Sequence, residues 1–187
     1  MKSSAVRSNI IETASELFYK KGFNSTGINE VIKEAGVAKA TLYSHFSSKD
    51  ELCLAYLQHR HAAFIEGIEK AALAVVADGS QLLALFDFLE DFYHTKDFTG
   101  CWAQRTISEL PTVDGAVRKE VLSQKQQLVR LIERLVANNR PKLALEARQA
   151  LARQIYLLYE GAVSESYLQA DSWPIGAAKN ICKTLLA

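Results

Sequence analysis

The sequence predicts an all-α fold of about nine helices. Three observations carry that expectation: apolar residues recur at intervals of three and four along most of the chain, no stretch alternates apolar and polar with period two, and the breaks between periodic segments carry Gly, Pro, Asn or Asp. At 187 residues with 49% hydrophobic content, the chain can bury a real core. Neither internal repeats nor low-complexity segments interrupt it.

The first helix is expected to begin after Ser3 or Ser4 and to carry Val6, Ile10, Ile11, Ala14, Leu17 and Phe18 on one face. Lys20-Lys21-Gly22-Phe23 ends it, because basic residues suit the negative end of the helix dipole and Gly22 supplies a left-handed residue. The second helix carries Ile28, Val31, Ile32 and Ala35 at i, i+3, i+4 and i+7 and closes at Gly36. The third is short. Leu42 and Phe46, four apart, face inward with Val37, while Lys39, Ala40 and Tyr43 look outward. Phe18, Ile32, Leu42 and Phe46 then form a three-helix core of about 45 residues, marginal alone and in need of backing.

That backing is a fourth helix from Ser48, where Ser48-Lys49-Asp50-Glu51 has capping-box spacing and acids in the first turn. Its apolar positions run through Leu52, Ala55, Tyr56, Ala63, Ile68, Ala71, Ala72 and Val75 to the break at Asp78-Gly79-Ser80. Further helices are expected over 82–94, 101–110 with a stop at Pro111, 117–136 before Asn138-Asn139-Arg140-Pro141, 143–170 and 174–186. This places a first domain at 4–64, with a helix-turn-helix at 27–46, and a second at 65–187.

Residues 1–50 carry seven Lys or Arg against five Asp or Glu, and the remainder fifteen against sixteen. An asymmetry that small permits nucleic-acid binding without announcing it. No apolar run approaches the length of a membrane span, and Met1-Lys2-Ser3-Ser4 leads into a helical pattern without a signal-peptide core, so a cytoplasmic location is expected. Cys53, Cys101 and Cys182 are odd in number and widely spaced, which fits neither a disulfide framework nor a zinc site. The histidines make no metal or catalytic constellation: His59 and His61, two apart, point to nearly opposite faces of a helix, and His94 closes one. With no nucleophile–base pair, phosphate loop or ligand spacing, the sequence offers no catalytic residues, no metal site and no cofactor, and reads as a non-enzyme.

A helix held by two or three apolar residues, with a small, basic and aromatic face left free, suits insertion into the DNA major groove. The stretch Thr26–Leu52, in particular Gly36-Val37, Thr41-Leu42-Tyr43, His45-Phe46 and Lys49 with Leu52, resembles the DNA-reading segment of the TetR family of transcriptional regulators. The resemblance covers about the first third of the chain with specific motifs and the rest only in helix layout and one weaker motif. It implies DNA contacts by Thr26, Lys39, Ala40, Thr41, Tyr43, His45 and Lys49. Helix N-termini at Thr26 and Lys49 would offer backbone N–H groups to phosphates, Thr41 and Tyr43 hydroxyls, and Lys39 a guanine-edge or phosphate contact. The alternative for each is an ordinary solvated helix face. Ala38 departs from the Ser frequent in the family and removes a side-chain cap, worth about 1 kcal/mol to that helix start.

The weaker motif is Gly100-Cys101, with Glu109 eight residues after the Cys, which borders the ligand pocket in a subset of the same family. Cys101 at a helix start with Arg105 one turn on is a candidate redox or electrophile sensor; the alternative is a buried small hydrophobe. Phe86, Tyr93, Trp102, Arg105 and Tyr156 are candidate lining residues of an effector pocket beside the long helix after Ser48, with membership of the core as the alternative. The resemblance further implies a homodimer paired through the last two helices, where Ile155, Tyr159, Ala162, Val163, Ile175, Ala178, Ile181, Cys182 and Leu185 fall at helical spacing. The expected function is therefore a dimeric regulator of duplex DNA, a repressor of a palindromic operator released by a small apolar or aromatic effector. Its rivals are a regulator controlled by a docked protein, and a thiol-based sensor acting through Cys101.

Overall fold

The last turn of a helix leaves carbonyls without partners, and a left-handed glycine is the usual way out of it. Gly22, Gly36, Gly79 and Gly100 all adopt positive φ. A computed structural model describes residues 2–95, 98–110 and 115–187. Among them the elements are nine helices and no strand: α1 (Lys2–Lys21), α2 (Ile28–Glu34), α3 (Lys39–His45), α4 (Lys49–Leu73), α5 (Ser80–Tyr93), α6 (Trp102–Ser108), α7 (Ala116–Asn139), α8 (Leu145–Gln169) and α9 (Trp173–Leu185). Boundaries shift from expectation by a few residues at helix ends, where fraying and capping compete. The stop expected at Pro111 lies outside the described residues.

Packing divides the chain into two units: residues 1–63 with 102–123, and residues 64–101 with 124–187. Residues 102–123, counted by the sequence with the second domain, thus pack with the first 63. In unit 1 the core gathers Ile10, Ala14, Phe18, Val31, Leu42, Phe46, Leu52 and Tyr56, all buried. The ring of Phe18 meets Phe23 and Tyr56 edge-on at 5.4 and 5.5 Å. One expected core position moves: Val31 is fully buried and Ile32 only half-buried, so the inward face of α2 is centred one residue earlier than Ile32.

Unit 2 packs α5 and α8 against α9. Its core includes Ile68, Phe86, Leu89, Leu131, Ile132, Leu135, Ile155, Tyr159 and Ile175. A polar knot closes one end of it. The buried Asn139 side chain accepts from the Gly79 N–H at 2.7 Å and donates to Gln81 Oε1 at 2.9 Å and Leu135 O at 2.7 Å. These bonds tie the last turn of α7 to the left-handed Gly79 that starts α5.

Removing a buried partner strands the groups it served. Asn139→Ala is expected to lower the unfolding free energy by about 2 kcal/mol in urea denaturation. The exposed neighbour Asn138, changed to Ala, should shift it by less than about 0.5 kcal/mol.

Candidate nucleic-acid interface

The interface is built on α2 and α3 of unit 1. Ala35 ends α2, Gly36 turns the chain at φ +65°, and the Val37 N–H donates back to Ile32 O at 3.2 Å. A contact with no signature in the local sequence secures this turn: Asn9 of α1 donates from Nδ2 to Ala35 O at 2.8 Å. The α3 helix then starts at Ala38, which makes no side-chain cap, as the missing hydroxyl requires. Seven residues cannot hold a helix by themselves, so α3 depends on packing. Leu42 is fully buried and Phe46 nearly so, and the exposed Arg7 of α1 lays its guanidinium 5.0 Å from the Phe46 ring centre.

What α3 leaves outside is the expected face. Lys39, Ala40, Tyr43 and Ser44 are exposed, while Thr41 and His45 are half-buried. Tyr43 keeps 43% of its surface free. Ser44 commits its hydroxyl to Thr41 O at 2.8 Å, so it is less available to a ligand than Tyr43. A cation, a phenol and a small Ala40 on one short helix can reach base edges and phosphates together.

Two expected DNA contacts are placed differently. Thr26 is fully buried, and its hydroxyl donates to Gly22 O at 2.8 Å; the N-cap of α2 is Gly27, not Thr26. Lys49 is half-buried, donates from Nζ to Phe23 O at 2.6 Å and sits 4.2 Å from the Phe23 ring centre. Burial beside these groups lowers the Lys49 ammonium below the ordinary lysine value. Both side chains fasten the turn after α1 rather than facing outward.

The start of α4 follows the capping pattern with one change. Glu51 donates its backbone N–H to Ser48 Oγ at 3.1 Å, and its carboxylate accepts from Ser47 N and Ser47 Oγ, each at 2.7 Å. Those bonds to Ser47 hold the Glu51 carboxyl below its usual range.

The other candidate residues fall in both units. Trp102 and Arg105 belong to unit 1, where Arg105 donates to Tyr19 O at 3.0 Å and pairs with Glu109 at 3.4 Å. Arg60 lies 3.7 Å over the Tyr19 ring and 5.6 Å from that of Trp102. Glu109 accepts the Asn24 N–H at 2.7 Å, so the Glu of the weaker motif serves the α1–α2 turn. In unit 2, Phe86 is fully buried against Tyr159, and Tyr93 and Tyr156 are half-buried. Cys101 is half-buried and receives a hydrogen bond from Lys125 Nζ at 3.2 Å. The cation at its sulfur is this lysine, 24 positions away in sequence, not the Arg105 expected. Among the described residues no group of His, Cys, Asp and Glu is arranged to hold a metal, and no helix is long and apolar enough to cross a membrane.

Comparison with known proteins meets this geometry at the same residues. The family model described as bacterial regulatory proteins of the tetR family matches residues 10–56. The HTH-type transcriptional activator FasR of Mycolicibacterium smegmatis is 40% identical over 89 residues, which span 45% of this chain and 40% of that protein. The HTH-type transcriptional repressor DhaR of a Mycobacterium species is 21% identical over 180 residues, covering 94% of this chain and 89% of the relative. A TetR-family transcriptional regulator from Streptomyces coelicolor, solved as a crystal structure, superposes with a TM-score of 0.87 at 27% identity, over 98% of this chain and 95% of that one.

The structural role of Lys49 is separable from any role on DNA. Lys49→Met keeps the apolar stem against Phe23 but gives up the bond to Phe23 O, and is expected to lower stability by about 1 kcal/mol in thermal denaturation without DNA present. A variant as stable as the parent would make Lys49 an outward-facing cation after all.

Proposed function

The chain belongs to the TetR family of bacterial regulatory proteins, and on that premise we propose that it is a homodimeric repressor that binds a palindromic operator through α3 and is released by a small apolar or aromatic effector. It is a transcriptional regulator whose helix-turn-helix binds DNA. The observation that carries the finer reading is the free face of α3, where Lys39, Ala40 and Tyr43 are exposed while Leu42 and Phe46 anchor the helix from behind. Lys39 and Tyr43 are the principal contacts in this reading, with Thr41 and His45 at the margin. Thr26 and Lys49 contribute through the turn they hold.

Dimerisation is supported by the outer surface of α8 and α9. Their inward sides bury Ile155, Tyr159, Ala162 and Val163, then Ile175, Ala178 and Cys182. Leu157, Leu168, Trp173 and Ile181 remain 66, 74, 57 and 50% exposed, an apolar surface that water does not favour. Gly161 lies between Leu157 and Leu168 with open space where a Cβ would sit, which allows a second helix to approach closely. To read two half-sites, a two-fold dimer must hold its two copies of α3 about 34 to 36 Å apart, one turn of DNA.

Repression is favoured over activation only by the commoner logic of effector release, and relatives of both signs exist. The effector acts through differential affinity for two states of the dimer. Helix α4 supports such a coupling because it begins in unit 1 and ends in unit 2.

Fluorescence titration of the protein against its own promoter region tests the DNA reading. Lys39→Ala should weaken binding about tenfold and reduce the salt slope by about one, and Tyr43→Ala should weaken it by a similar factor at unchanged fold. In the same titration an effector that weakens the operator must itself be weakened equally by operator DNA. A parent without salt-dependent affinity for that DNA, or two variants that bind it as tightly as the parent does, would end the proposal.

Light scattering tests the pairing. The parent is expected as a dimer at micromolar concentration, and Leu157→Glu with Ile181→Glu as a monomer of native helicity that binds the operator at least about a hundredfold more weakly. A monomeric parent would exclude the geometry.

A further inference from the structure

The short turn after α1 touches both ends of the helix-turn-helix. It leads into Gly27, the N-cap of α2, and inside it Thr26 donates to Gly22 O at 2.8 Å. Lys49, the first residue after the α3–α4 joint to be helical, reaches back to Phe23 O of the same turn at 2.6 Å. Whatever fixes residues 22–26 therefore fixes the entry to α2 and the exit from α3 together.

An element far along the chain does so. Glu109, just past α6 and 85 positions from Asn24, accepts the Asn24 N–H on its carboxylate at 2.7 Å, and its main-chain O accepts from Asn24 Nδ2 at 2.5 Å. The two bonds are reciprocal. A helix end leaves carbonyls without partners and an irregular turn leaves an N–H without one, and each segment here supplies what the other lacks. Arg105, one helical turn before Glu109, pairs with its carboxylate at 3.4 Å and donates to Tyr19 O at 3.0 Å. The turn is also shaped around that carboxylate, since a Cβ on Gly22 would lie 2.5 Å from Glu109 Oε1.

Stability is a weak reason for this arrangement. Asn24 is exposed and Glu109 half-buried, and hydrogen bonds that water can replace add little to a fold. What a pair of opposed bonds does supply is a fixed distance and orientation. Base reading needs that, because side chains of α3 must come within hydrogen-bond distance of base edges, and α3 brings only Leu42 and Phe46 to the core that holds it.

We propose that Glu109 and Asn24 are positioning residues for operator recognition: neither contacts DNA, and together they dock the end of α6 onto the turn from which both flanks of α2 and α3 are held. The inference rests on the operator-binding reading above and adds to it a residue outside the helix-turn-helix. Non-specific binding has a different requirement. It follows the number of cations brought to phosphates, not the register of α3 on the bases. Changing Glu109 or Asn24 removes no cation, so a loss of positioning appears as a lost preference for the operator at constant affinity for arbitrary DNA.

The test is titration of the intact protein with its own promoter fragment and with a scrambled duplex of the same length and composition. The parent should prefer the promoter fragment. Glu109→Ala is expected to weaken promoter binding about tenfold while leaving affinity for the scrambled duplex and its salt slope unchanged. Glu109→Gln should recover most of the loss, because an amide oxygen still accepts the Asn24 N–H. Asn24→Ala should weaken promoter binding severalfold, and the double variant with Glu109→Ala should bind no more weakly than Glu109→Ala alone, as two halves of one contact require. If Glu109→Ala loses native helicity, Asn24→Ala at its exposed position and Glu109→Gln carry the comparison. Promoter affinity equal to the parent's in Glu109→Ala and Asn24→Ala, or an equal loss on both duplexes, would overturn the positioning role alone. A parent that prefers neither duplex would overturn the operator reading and this inference with it.

Discussion

The last turn of α1 is the constraint on which unit 1 depends. A helix C-terminus leaves carbonyls that must be met by something, and here three carbonyls at and just after that end are met from three different parts of the chain. Tyr19 O accepts from Arg105 on α6, Gly22 O from Thr26 before α2, and Phe23 O from Lys49 at the start of α4. Glu109 completes the arrangement by taking the Asn24 N–H, and its carboxylate stands where a Cβ on Gly22 would need to be. One left-handed glycine therefore sets the position of three other elements.

That arrangement explains why a helix as short as α3 can be held in place. The three-helix core is small, and α3 brings only Leu42 and Phe46 to it. Rigidity comes from the neighbours: Asn9 ties off α2, Arg7 covers Phe46, and Lys49 ties α4 back to the α1 turn. Lys39, Ala40 and Tyr43 are thereby left on the outward side of α3. Thr26 and Lys49 turn their side chains to the fold instead, Thr26 onto Gly22 O and Lys49 onto Phe23 O.

Unit 2 follows a different rule. Its centre is apolar and aromatic, with Phe64 and Phe86 both against Tyr159, and its polar groups are few and individually placed. Asn139 satisfies three partners, whereas Tyr159 leaves its hydroxyl unused and Lys125 and Glu160 are paired at a cost in desolvation. A core that satisfies one polar group completely and leaves another open is not polished for stability at every position.

Local chemistry was enough for the sequence to determine the helices, several of the breaks between them and the outward face of α3. The 3.6-residue period of the apolar positions, the left-handed residue at Gly22 and Gly36, and the Ser48–Glu51 cap each depend on residues a few positions apart. Tertiary structure decided everything that depends on a partner far along the chain. Nothing local says that Lys49 will meet Phe23 O, that Glu109 will meet Asn24, or that residues 102–123 will pack with the first 63. Periodicity places α2's stripe but not its centre, since Val31 and Ile32 are equally apolar and only the packed neighbours choose between them. On α8 and α9 it marks apolar residues without dividing those that face the core from those left on the surface. Sequence alone points to Arg105 as the cation beside Cys101, because one helical turn is the only distance it shows; the lysine that occupies the place comes from another helix, brought there by the core beneath it.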